Sequence, residues 1–160
     1  MRECLKPFSR LPAALAAACC AASALAAGGA PPGALNAGVE ARYRLLEKLF
    51  AAGASAEAVY KELYWPEIVA TGQGESKVYR GPAEMTPLLG EYLKAMGRNC
   101  RYSVADPAVQ DGNLSVVWTQ LSCTYGQGKP DLNLRVLYVW QRRGEQWRVI
   151  REAWSDGKIQ

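Results

Sequence analysis

Val39, Tyr43, Leu46 and Phe50 recur at steps of three and four, so they fall on one face of a helix. Asn36 is placed to cap its start and Gly53 to end it. Ser55 caps a second, shorter helix reaching Glu62, with Ala58, Val59, Tyr60 and Leu63 facing inward. Pro66 ends that segment. A third stripe of Met85, Leu88, Leu89, Tyr92, Leu93 and Met96 follows Gly81-Pro82, a proline whose missing N–H costs nothing in a first turn. Pro87 and Gly90 inside this stripe predict a kink or an irregular start, and Gly97 closes it.

Elsewhere the period is two. Residues 67–72 and 77–80 read as short strands around a Gly-rich turn. Four longer strands follow at 100–110, 113–125, 131–141 and 146–155, rich in Trp, Tyr, Val, Leu and Thr. Asp111-Gly112 is a strong hairpin turn signal and joins the first two; Arg143-Gly144 serves as the turn of the second pair. A two-residue turn at Asp111-Gly112 sets Cys100 directly opposite Cys123, within reach of a disulfide. Two buried free thiols are the alternative. Leu134, Val136, Tyr138 and Trp140 share one face of the third long strand, and Arg135, Leu137 and Val139 the other. On the last strand Trp147, Val149, Arg151 and Ala153 alternate with Arg148, Ile150, Glu152 and Trp154. The order of elements predicts a single α+β domain over 36–160.

The N-terminus changes the picture. Arg2, Lys6 and Arg10 precede an uncharged Ala-rich run that ends in Ala24-Leu25-Ala26, the pattern of a secretory signal peptide over 1–26. Residues 27–35 read as a flexible Gly/Pro linker. A lipid anchor on Cys19 is the competing version. The run is too short and too broken to span a membrane. The leader takes three basic and one acidic residue with it, so the net charge falls from +4 to about +2. That charge, with no basic run interleaved with aromatics, argues against nucleic-acid binding. Cys100 and Cys123 are the cysteines that remain, an even pair in an oxidising periplasmic or extracellular compartment. The sequence has no histidine, which removes the commonest general base and most zinc sites. No metal or other cofactor is expected.

Three stretches carry a resemblance. Residues 63–72 (LYWPEIVATG), 78–85 (VYRGPAEM) and 145–155 (EQWRVIREAWS) resemble signature stretches of the nuclear transport factor 2-like superfamily, which includes ketosteroid isomerases and polyketide-cyclase-like proteins. The resemblance implies three N-terminal helices packed on a curled, mainly antiparallel sheet, a cone with a pocket at its open end. Isomerase-like members carry a carboxylate base near the end of the first strand. The matching positions here are Thr71 and Gly72, neither of which abstracts a proton.

The remaining chemistry must come from the long strands. Asp106 shares a face with Tyr102 in the expected register, so the two form a candidate acid/base pair; Asp106-Pro107 is equally a turn dipeptide. Arg135 and Glu152 face one another across the last hairpin in that register. Tyr60, Trp65, Trp118, Tyr138 and Trp154 are candidate pocket aromatics. A sheet apolar on both sides predicts helices over one face and a second copy over the other, a homodimer. The functional expectation is an exported domain that binds a small apolar or amphipathic molecule or serves as a dimeric interaction module. An isomerase, dehydratase or cyclase using Asp106 with Tyr102 is the alternative.

Overall fold

The computed structural model describes residues 34–96, 98–106, 108–125 and 131–159. The expected leader and most of the linker lie outside the described residues. Three helices, α1 (Ala37–Ala52), α2 (Ala56–Leu63) and α3 (Gly81–Ala95), cover one face of a sheet. Its strands are β1 (Tyr64–Gly72), β2 (Tyr79–Arg80), β3 (Asn99–Val104), β4 (Val109–Asp111), β5 (Leu114–Thr124), β6 (Leu132–Arg143) and β7 (Gln146–Asp156). They run in the order β2-β1-β7-β6-β5-β3, with β4 also paired to β5. β1 and β7 are parallel, while the other pairs are antiparallel. This is the expected α+β cone: an unclosed, curled sheet around its helices.

The helices follow their sequence signals. Asn36 accepts the Gly38 N–H at 2.9 Å, and Gly53 ends α1 at a left-handed φ of 66°. Val39, Tyr43, Leu46 and Phe50 form its buried face. Ser55 caps α2. α2 then passes into β1 without a connecting loop, so β1 starts at Tyr64, three residues before the expected strand. Tyr64 thereby becomes a sheet residue with a defined inward direction. α3 continues from Gly81 to Ala95 with Pro87 inside it.

Register is where expectation and structure part. Cys100 does pair with Cys123, and the two form a disulfide with Cα atoms 4.0 Å apart. The turn beside them is displaced, however. Asp111 pairs with Leu114, so Gly112, at a φ of 56°, and Asn113 make the turn. The break between β3 and β4 absorbs that offset and restores the cysteine pairing. In the last hairpin Arg143 pairs with Gln146 across a Gly144-Glu145 turn. This sets Arg135 opposite Ser155 and Glu152 opposite Tyr138, which corrects the expected Arg135–Glu152 pair.

A bulge in β7 corrects the expected alternation too. Trp140 pairs with Val149 and Val139 with Arg151, so Ile150 is an extra residue with no partner on β6. Strand alternation changes phase at that point. Trp147 and Val149 face the helices before the bulge, and Glu152 and Trp154 face them after it. Val39, Leu46, Val59, Ile68, Trp140 and Val149 are wholly buried between helices and sheet and form the centre of the core. The hydrophobic effect stabilises that layer by ~25 cal/mol for each Å² of apolar surface removed from water.

Candidate functional site

The open end of the cone holds a small apolar cavity of about 50 Å³ that opens to solvent. α3 forms one wall with Met85, Leu88, Leu89 and Leu93, and Phe50, Val59 and Leu63 come from α1 and α2. The sheet supplies the opposite wall, in which Leu121, Leu134 and Val136 are apolar and Tyr64, Tyr102, Tyr138, Glu152 and Trp154 carry polar atoms.

Glu152 is the one carboxyl on this wall. Its position follows from the bulge: were Ile150 part of a regular strand, alternation from Val149 would turn Glu152 outward. Oε2 accepts a hydrogen bond from the Tyr64 hydroxyl at 2.5 Å. Burial drives the Glu152 carboxyl from 4.5 up to about 7, and the Tyr64 hydrogen bond holds it partly down. No lysine or arginine is among the residues lining the cavity. The carboxyl is therefore half-buried without a protein counter-charge lining the cavity among the described residues. At neutral pH it exists in both protonation states, so it can donate or accept a proton or a hydrogen bond.

The tyrosines around it are held by their own packing. Tyr43, on α1, stacks on Tyr102 with ring centroids 4.7 Å apart and shares a 2.7 Å hydrogen bond with Thr119. Burial pushes the Tyr43 hydroxyl up to about 12 and drives those of Tyr64, Tyr102 and Tyr138 well above the ordinary phenol range. All four stay protonated and act as neutral hydrogen-bond donors. Trp154 meets Tyr92 edge to face with ring centroids 5.9 Å apart. Its indole lies directly on Gly72: a Cβ at that position would sit 2.1 Å from Trp154 Cε2. Gly72, unable to serve as a base, is thus the flat surface that lets Trp154 line the cavity.

The structure brings only some of the expected site residues together. Tyr102, Tyr138, Glu152 and Trp154 line the cavity. Tyr60 is buried beneath it, with its ring 5.4 Å from that of Tyr64. Asp106 lies at an exposed bend outside the cavity, apart from Tyr102, because the chain leaves the β3 ladder at Val104. The Asp106–Tyr102 pair accordingly has no geometric basis. Trp118 and Arg135 point to the opposite, convex face of the sheet; Arg135 donates to the Asp156 carbonyl at 2.8 Å. Trp65 lies outside the cavity as well. Its indole N–H donates to the Gln141 carbonyl at 2.9 Å, and Arg143 and Arg148 stack on its ring. Sequence reasoning passed over Tyr64, whose role depends on β1 starting directly at the end of α2. It also left out Tyr43 and Tyr92, which read only as members of helical apolar stripes.

Comparison with known proteins supports the fold. A ketosteroid isomerase-like protein from Erwinia carotovora atroseptica superposes with a TM-score of 0.59 at 17% identity, over 77% of this chain and 96% of that one. An NTF2-like protein of unknown function from Pseudomonas putida gives 0.54 at 18% identity, over 79% and 92%. An uncharacterized protein with a cystatin-like fold from Caulobacter vibrioides gives 0.52 at 18% identity, over 76% and 88%. No family model and no curated protein matches the sequence. The architecture is that of nuclear transport factor 2-like proteins, and at these identities the likeness concerns the fold alone.

Proposed function

We propose that this chain is an exported domain that binds one small, mostly apolar molecule in the open end of its cone. The observation that carries this reading is the cavity itself: a wall of leucines, valine and methionine faced by a few convergent polar groups. Such a site takes an apolar body and orients it through one polar end. A fluorescence titration with Nile red, an uncharged apolar dye, tests the reading. The wild-type protein is expected to bind the dye saturably. Leu89→Trp, which fills the cavity from its α3 wall, is expected to weaken binding at least about tenfold, or ~1.4 kcal/mol. Equal binding by a folded Leu89→Trp variant would show that the dye sits elsewhere and overturn the reading.

Export rests on the basic, apolar, Ala-x-Ala order of residues 1–26 and on a disulfide of the kind that persists in oxidising compartments. Sequencing the N-terminus of the exported protein is expected to begin at Ala27; retention of the leader would contradict it. A homodimer through the convex face is the partner this reading includes. Trp118 is 41% exposed there, and Leu137 and Val139 stand on the same side of β6.

A further inference from the structure

We infer that the cavity selects ligands carrying a single basic nitrogen, an amine-headed apolar molecule whose cation pairs with Glu152. The inference rests on the binding reading above and narrows it to a ligand class.

Charge accounting is the first argument. Glu152 lines an otherwise apolar cavity, and no lysine or arginine is among the residues around that cavity. The groups around it are phenols whose own ionisation its charge opposes: Tyr43 on α1, Tyr64 on β1, Tyr92 on α3, Tyr102 on β3 and Tyr138 on β6, of which Tyr64 alone acts on the carboxyl by a hydrogen bond. Phenols solvate a carboxylate by hydrogen bonding but do not neutralise it. A buried carboxylate without a counter-charge is expensive, and the empty protein limits the cost by keeping the group partly protonated. A ligand ammonium group supplies the missing charge.

Geometry is the second. One carboxyl oxygen is held by Tyr64, and no second hydrogen bond to the carboxyl occurs among the described residues. The group is thereby oriented while retaining capacity to accept from a ligand N–H. Tyrosine and tryptophan rings flank the same spot, and aromatic faces attract a cation further. An anionic ligand meets the opposite situation, since its charge would be buried beside Glu152 with no partner.

The test compares three ligands of one shape: phenylbutylamine, phenylbutanol and phenylbutyrate, titrated by calorimetry at about pH 8, above the range of the carboxyl. The amine is expected to bind at least about tenfold more tightly than the alcohol, and the carboxylate most weakly. Glu152→Gln is expected to bring amine and alcohol to within about threefold of each other. Near neutral pH, amine binding to the wild type is also expected to release a proton, seen as a heat that changes with the ionisation enthalpy of the buffer and vanishes in Glu152→Gln. The wild-type comparison stands even if that variant fails to fold. Saturable binding of the alcohol with no preference for the amine overturns this inference and leaves the binding reading intact. Failure of all three ligands and of Nile red overturns both.

Discussion

Glu152 makes the protein's stability depend on pH in an unusual direction. Its folded-state value of about 7 lies above the 4.5 of an exposed glutamate. Between those values the folded state holds a proton that the unfolded chain releases. Stability from this group is therefore complete below 4.5, falls as pH rises through the interval, and levels off above about 7. The shift corresponds to a loss on the order of 3 kcal/mol across the window. Urea unfolding at pH values on either side of it is expected to show that loss in the wild type and to show it largely gone in Glu152→Gln; identical pH profiles for the two proteins would refute the assignment. This residue also marks how far sequence reasoning reached. Glu152 stood out as a candidate, but paired with Arg135 on the wrong assumption about a turn. Identity was legible and direction was not, because direction depends on a one-residue irregularity that no side-chain preference announces. Ile150 suits a regular strand as well as it suits a bulge.

Among the elements, the helices were the most legible, since each carries its own cap and stripe. Asn36, Gly53 and Ser55 act locally, and local signals survive without knowledge of the rest of the fold. Strand pairing is non-local, and there the outcome was mixed. The cysteine pair was placed correctly although its turn was shifted by one residue, because the break between β3 and β4 compensates. Alternation on β6 held throughout, since that strand is regular; on β7 it held only as far as Val149. The disulfide joins β3 to β5 across a sequence separation of 23 residues and fixes the strand that carries Tyr102. Closing a loop of that length stabilises by roughly 3 kcal/mol through the entropy of the unfolded chain. Reduction is expected to lower the urea midpoint accordingly and to weaken ligand binding, as Tyr102 loses its anchorage. A reduced protein with an unchanged midpoint would show that the sheet alone holds this edge.

At the scale of the whole molecule, the sheet has two faces with different tasks. The concave face is closed by helices and holds the cavity. The convex face keeps Trp118 and Val109 at 41% and 70% exposure, with Leu137 and Val139 nearby. The proposed dimer would cover these side chains. Trp118→Glu is expected to convert a dimer to a monomer in analytical ultracentrifugation, with the cavity and its ligand affinity preserved. A wild-type protein that sediments as a monomer at micromolar concentration would remove the dimer from the proposal. The cone and its layering were foreseen from element order and from the resembling stretches. The division of labour between the faces became readable only with the register known, because it depends on which of two alternating sets each strand turns inward.

The bulge at Ile150 has a consequence for how such a pocket can change. Beyond Val149 the strand carries two interleaved sets of side chains: Glu152 with Trp154, and Arg151 with Ala153. Straightening the same residues would present the second set to the cavity and hide the first. An acidic lining and a basic lining are thus written into one stretch of chain, half a period apart. The bulge selects between them, so a relative that kept the same residues in a regular strand would invert the charge of its pocket with no substitution anywhere in its wall.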